Sequence, residues 1–309
     1  MITVSDLTFQ FGGQLLFKDV DLKFTPGNCY GIIGANGAGK STFLKLLCGE
    51  LEPTHGSVTI PDTVRMSVLK QDHFAYDSFT VLDTVIQGNM KLYEIMKEKD
   101  AIYAKDEMTD EDGMRASELE GEFAELNGWE AESDASKLLQ GLGIPDSVLY
   151  DSMSTLRESE KVKVLLAQAL FGNPDIILLD EPTSGLDPVS RDELLDIFRD
   201  TVANGERSIL FSTHIISDLE KCADLITYIH NGKILTSTDR DTFTDAYRKV
   251  TGGKEELTDA VKESAIGLRE QSFGFEAMMK TEDAMASGLA AEPIGMEDIM
   301  VHIEREGRE

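Results

Sequence analysis

The sequence predicts an α/β protein built on a doubly wound parallel sheet, with an antiparallel β-layer ahead of it, a helical subdomain beside it and a small C-terminal tail. Three observations carry this. Residues 176–179 (Ile-Ile-Leu-Leu) form a continuous apolar run closed by Asp180 and Glu181, and residues 208–212 form a second apolar run, as strands buried on both faces do. Residues 2–9 and 16–24 instead alternate apolar and polar, the mark of half-buried strands. From 81 to about 140 the apolar residues fall at helical spacing.

Composition narrows the class. With 309 residues and 41% hydrophobic content, the chain can bury a sizeable core. A formal net charge of -28 argues against a surface made for nucleic-acid phosphates or anionic lipid, so no direct DNA binding is expected. Cys29, Cys48 and Cys222 are too scattered for a disulfide framework or zinc cluster and read as buried thiols of a reducing, cytosolic compartment. No run approaches the ~18 apolar residues of a membrane helix, and residues 1–10 lack a basic, apolar, cleavable start. Any link to a membrane is expected to come through a partner.

Taken in order, Phe11, Gly12 and Gly13 turn the chain after the first strand, and Pro26-Gly27 turns it after the second, in which Phe17, Val20, Leu22 and Phe24 alternate. Residues 28–33 give a short β-like run, and residues 43–48 are apolar at helical spacing and stop at Gly49. Residues 53–60 give a turn and a strand, and residues 64–69 another that delivers Gln71 into a polar loop. The helical stretch that follows carries Val81, Val85, Ile86, Leu92, Ile95 and Met96 on one spacing. Between 94 and 134 acids far outnumber bases, with Leu119, Phe123, Leu126 and Trp129 interspersed; this is either a projecting helical pair or a solvated acidic face. Residues 141–146, with Pro145, close it. Residues 160–170 read as a buried helix ended by Gly172, Asn173 and Pro174. Asn231-Gly232 signals a hairpin between 226–230 and 233–235. Beyond Thr236 the signals weaken: helices are expected over 242–248, 258–270 and 297–304, with a hinge at Gly252-Gly253.

The chemistry centres on residues 34–42. Gly34, Gly39, Lys40 and Ser41 fill every fixed position of G-x-x-x-x-G-K-[ST], and the loop lies between a strand and a helix, the context this motif requires. Asn36, Gly37, Ala38 and Thr42 complete a backbone cradle whose N–H groups point at a phosphate at a helix N-terminus. Lys40 is expected to neutralise the β/γ-phosphates, and Ser41 to ligate Mg²⁺. Ligands of doubly wound sheets sit at the carboxyl ends of the strands. That rule places Asp180, a candidate metal ligand, and Glu181, a candidate water-polarising base, beside the cradle. His214 follows an apolar strand and is a candidate γ-phosphate contact, or a structural histidine. Phe11 either stacks on a nucleotide base or closes the core at a strand end. Gln71 is a metal or water ligand, or a surface residue.

With these pieces placed, the chain resembles the ATP-binding cassette (ABC) ATPases. The resemblance runs through Gly34 to Thr42 (Walker A), Gln71 (Q-loop), Ile176 to Glu181 (Walker B with the catalytic glutamate), Ser184-Gly185-Leu186-Asp187 (D-loop), His214 (switch) and Phe11 (the aromatic over adenine), in family order. It implies binding and hydrolysis of Mg-ATP at a head-to-tail interface with a second cassette, homodimeric or heterodimeric. It implies Glu181, His214 and Gln71 in catalysis, and Ser41, Gln71 and Asp180 at the metal. The implied domains are an ATP-binding core over 1–80 and 160–235, a helical subdomain with acidic insert and signature loop over 81–159, and a C-terminal appendage over 236–309.

Two departures qualify the resemblance. The family signature, close to Leu-Ser-Gly-Gly-Gln, stands here as Leu156-Arg157-Glu158-Ser159-Glu160, so hydrolysis is expected to be weak or to depend on a partner cassette with an intact signature. Residues 1 to about 175 resemble the first cassette of ABC-F proteins, which act on ribosomes, whereas the stretch from Glu181 onward resembles the ATPase subunit of bacterial exporters. The chain reads as a composite with a seam near 157–180. The resemblance implies a cytosolic energy-coupling subunit held at the inner face of the membrane by an exporter permease. The alternative is a single-cassette ABC-F-like ribosome-associated factor.

Overall fold

The computed structural model describes residues 1–69 and 75–306. The chain opens with β1 (Ile2–Phe11) and β2 (Gln14–Phe24), followed by β3 (Cys29–Ile33), α1 (Lys40–Leu47), β4 (His55–Thr59) and β5 (Met66–Leu69). The alternating segments pair as their pattern requires: β1 runs antiparallel to β2 on one side and β4 on the other, Ile2, Val4 and Leu7 facing inward.

A helical block follows, with α2 (Val81–Ile86), α3 (Met90–Tyr103), α4 (Asp110–Glu125), α5 (Ala131–Gly141) and α6 (Glu158–Leu170). Its acidic part is a helical pair tied by ion pairs, most of them at the surface. Lys91 reaches Glu122, Lys105 reaches Asp112, and Arg115 forks onto Glu98. Lys99 is buried between the helices, with Nζ 3.0 Å from Glu120 and 3.8 Å from the Phe123 ring centroid.

The chain then supplies β6 (Ile176–Asp180), α7 (Pro188–Val202), β7 (Ser208–Thr213), α8 (Ile216–Cys222), β8 (Leu225–His230) and β9 (Lys233–Asp239). The main sheet has the order β5-β6-β7-β3-β8-β9, parallel except for β9. Successive residues of β6 feed different cores. Ile177 and Leu179 pack toward the helices, while Ile176 and Leu178 pack toward the β-layer with Phe17, Phe24 and Phe43. A strand covered on both faces has no polar side, hence the unbroken apolar run. The Asn231-Gly232 hairpin forms with φ of 47° and 73° at its two residues.

The region after β9 departs from the expected helices. It contains α9 (Arg240–Asp245), β10 (Tyr247–Gly253), α10 (Asp259–Ser264), β11 (Ile266–Glu270), β12 (Gly274–Lys280), α11 (Thr281–Ser287), β13 (Ala290–Pro293) and α12 (Met296–Glu306). The helix expected over 242–248 thus ends at Asp245, and Gly252-Gly253 closes a strand instead of forming a hinge. The helix expected over 258–270 stops at Ser264, because Ile266, Arg269 and Glu270 pair with β12. The strands form an antiparallel sheet of order β11-β12-β10-β13 with a small core of its own around Val250, Phe275 and Met279. Among the described residues no helix is long and apolar enough to cross a membrane.

Candidate active site

The loop between β3 and α1 is set by its ends. Gly39 caps α1 at φ 107°, and a Cβ there would fall 2.9 Å from Phe17 Cζ, so only glycine fits both the backbone and the packing. The first intrahelical bond is Phe43 N–H to the Gly39 carbonyl at 2.8 Å. The N–H groups of Lys40, Ser41 and Thr42 therefore open the helix without helical acceptors, where an anion is favoured. Lys40 is buried, and its Nζ donates to the Gly34 carbonyl at 3.1 Å and the Ala35 carbonyl at 3.4 Å.

The parallel register brings the other polar residues to this loop. Asp180, at the end of β6, lies opposite Ser212 of β7. The Ser41 hydroxyl donates to Asp180 Oδ1 at 3.0 Å and the Ser212 hydroxyl donates to the same oxygen at 2.5 Å. Glu181 leaves the strand at φ 48°, a left-handed conformation that costs a non-glycine residue about 1–2 kcal/mol. The turn is held by Ser212, whose hydroxyl accepts from Glu181 N–H at 3.0 Å. In this position Glu181 Oε1 lies 3.5 Å from Lys40 Nζ and 3.4 Å from His214 Nδ1. One carboxylate thus sits between the loop lysine and the histidine.

Two residues that the sequence reading did not single out support this cluster. Ser212, fully buried, joins Asp180 to Glu181. Asp218, at 0% exposure, accepts from Thr183 Oγ1 at 2.6 Å and from Thr213 Oγ1 at 3.4 Å. Its other oxygen has the Arg191 guanidinium at 3.3 Å as an ion-pair contact without hydrogen-bond geometry. The only sequence signal for either residue was a polar side chain on an apolar strand or helix face; what they touch depends on strand register.

The remaining expected residues lie farther out. Phe11 stands 67% exposed at the end of β1, opposite Gln14 across the hairpin. A cavity of about 240 Å³ begins at Gln14 and runs past Leu16 to Asn36, Gly37 and Ala38. Gln71 lies outside the described residues. Leu156 to Glu160 forms the start of α6: Arg157 precedes the first helical residue, its N–H donating to Glu160 Oε2 at 3.0 Å and its guanidinium to Oε1 at 2.7 Å. This pairing holds the Glu160 carboxyl below its usual range. Glu158 Oε1 lies 3.4 Å from where a Cβ on Gly185 would be, so the altered signature borders residues 184–187 of the same chain.

A phosphate-binding loop at the carboxyl edge of a parallel sheet, with an aspartate and a glutamate from the next strand but one, defines a P-loop nucleotide-binding protein. The family described as ABC transporter matches residues 17–184, and the chain belongs to that family, whose cassettes are ATP hydrolases. It is 53% identical over 234 residues to the uncharacterized ABC transporter ATP-binding protein YkpA of Bacillus subtilis (strain 168), a stretch covering 76% of this chain and 43% of YkpA. The chain thus spans less than half the length of that relative. It is 25% identical over 237 residues to the Nod factor export ATP-binding protein I of Rhizobium johnstonii, covering 75% of this chain and 67% of that one. Among solved structures, the dimeric post-hydrolysis state of the ATP-binding cassette MJ0796 bound to ADP and Pi superposes with a TM-score of 0.59 at 21% identity, over 77% of this chain and 98% of that one. At that identity the likeness is one of fold.

Proposed function

We propose that this cassette binds and hydrolyses Mg-ATP as the energy-coupling subunit of a membrane exporter, paired head to tail with a second cassette. The carrying observation is the convergence of Lys40, Ser41, Asp180, Glu181 and His214 on one edge of the sheet. Phosphoryl transfer asks the protein for positioning and charge neutralisation, and these residues supply both. The loop N–H groups and Lys40 take the terminal phosphates. Glu181 exchanges its contact with Lys40 for the attacking water, accepting its proton, and His214 reaches the γ-phosphate.

The donor set fits Mg²⁺. Ser41 and Asp180 offer hard oxygens already 3.0 Å apart, and a magnesium site needs only one or two protein oxygens beside the phosphates. No group of three or more His, Cys, Asp or Glu that could hold a metal occurs among the described residues, which agrees with a metal held largely by its nucleotide. Ser41 and Asp180 would hold the ion, and it would neutralise charge on the β- and γ-oxygens. The export role is supported by the name of the Nod factor relative and by the D-loop Ser184-Gly185-Leu186-Asp187. The likeness of residues 1 to about 175 to an ABC-F first cassette favours the alternative, a ribosome-associated factor reaching with the α3–α4 pair, while the acidity of that pair opposes it. Purified chain with Glu181→Gln and ATP tests the proposal: a stable nucleotide-bound dimer that recovers with a detergent-solubilised permease is expected. ATP-dependent sedimentation with ribosomes would transfer the assignment to the alternative, and absence of ATP binding would end both.

A further inference from the structure

The C-terminal helix α12 packs its Glu304 against β8 and lines the same cavity as the nucleotide loop. Its Glu304 Oε1 lies 2.9 Å from His230 Nδ1 at the end of β8 and accepts from the Tyr228 hydroxyl at 3.4 Å. Asn231 Nδ2 stands 2.9 Å from His230 Nε2, so both ring nitrogens are engaged. Glu304, His230 and Asn231 form one wall of the cavity of about 240 Å³ whose other wall carries Asn36 and Gly37.

Two further contacts extend this arrangement in opposite directions. Toward the phosphates, the end of β8 touches the loop through backbone: a Cβ on Gly34 would fall 2.3 Å from the Ile229 carbonyl oxygen. Toward the appended sheet, Gly267 N–H of β11 donates to Glu306 Oε2 at 2.7 Å, and buried His302 places Nδ1 3.0 Å from the Gly267 carbonyl. The close contact is the backbone one between Gly34 and Ile229, and the residue after Ile229 is His230, which Glu304 holds.

We propose that α12 is a strut coupling the phosphate loop to the C-terminal sheet, and that Glu304 is the positioning residue through which nucleotide occupancy and the state of that sheet influence each other. The proposal rests on the nucleotide-binding reading above. Such coupling is reciprocal: whatever ATP does to α12, loosening α12 does to ATP affinity.

The test uses the full chain, with ATP and Mg²⁺ as the probe. Amide hydrogen exchange over residues 296–306 is read with and without ATP, and ATP affinity is measured by calorimetry. In the wild type ATP is expected to slow exchange in α12 several-fold. In Glu304→Gln, which keeps the side-chain shape, and in Glu304→Ala, that response is expected to vanish and ATP affinity to weaken about five-fold or more. Bound ATP with unchanged α12 exchange would overturn this inference alone, as would a full α12 response in both variants. No ATP binding at all would overturn it together with the proposed function.

Discussion

Ser41 donates its hydroxyl proton to Asp180 Oδ1 across 3.0 Å of space and 139 residues of chain. The bond preorganises the two oxygens proposed to hold Mg²⁺, so the aspartate charge should matter more than its shape. Asp180→Asn is expected to lower the hydrolysis rate about a hundred-fold or more, in the range of lost preorganised electrostatics. Rates titrated against Mg²⁺ at saturating ATP check this, and an unchanged magnesium dependence would exclude Asp180 from the site.

Lys40 is the buried cation of the loop, and it also faces Glu181. Lys40→Ala removes charge-assisted bonds to the phosphates and should weaken ATP binding about 10- to 100-fold. Equilibrium dialysis measures it directly.

Ser212 separates positioning from binding. Ser212→Ala leaves the phosphate loop intact but removes a donor to Asp180 and an acceptor for the Glu181 N–H. We expect kcat to fall about ten-fold and stability by about 1–3 kcal/mol, with ATP affinity within two-fold of wild type. A loss confined to affinity would contradict the role given to Ser212.

The altered signature allows a prediction on stability as well as rate. Arg157 precedes the first residue of α6 and has no side-chain acceptor for the helix N–H groups, while Glu160 already bonds back to its N–H. Arg157→Ser creates the S-x-x-E capping box, so it should stabilise the chain by about 1 kcal/mol in urea unfolding. The double variant Arg157→Ser/Glu158→Gly should also raise ATP turnover; equal turnover would show that the altered signature is harmless.

Acid should loosen the α3–α4 pair first. Lys105, with the Thr109 backbone and hydroxyl, holds the Asp112 carboxyl down at about 2. A carboxyl depressed on folding contributes stability that is complete above its unfolded value, about 3.9, and is lost as pH falls toward 2. Glu98 and Glu120, lowered by Arg115 and Lys99, act in the same direction. Trp129, the single tryptophan, lies edge-on to Phe123 at 5.0 Å and should report the change. Its fluorescence is expected to change between about pH 4 and 2, and Asp112→Ala should flatten that change.

The nucleotide end of the molecule was legible in the sequence because its signals are local: a loop with fixed residue types, an apolar run ending in Asp180 and Glu181, and an Asn231-Gly232 turn. The C-terminal sheet was not. In β12, Met278 packs into the main core and Met279 into the small one, so two adjacent residues are buried and no alternation marks a strand. In β11, Ile266 and Leu268 alternate, but the register breaks between Ile266 and Arg269, and the run continues a helical pattern through Val261 and Ala265. Ser212 and Asp218 were illegible for another reason: each meets a partner more than thirty positions away, Asp180 and Thr183 respectively, brought to it by strand order.

One buried carboxylate, that of Asp218, grips a threonine from each of the two segments that leave β6 and β7. Thr183, on the segment that leaves β6, and Thr213, the last residue of β7, share that one acceptor. The stretch that runs into residues 184–187 and the residue just before His214 are thus anchored to the same buried charge.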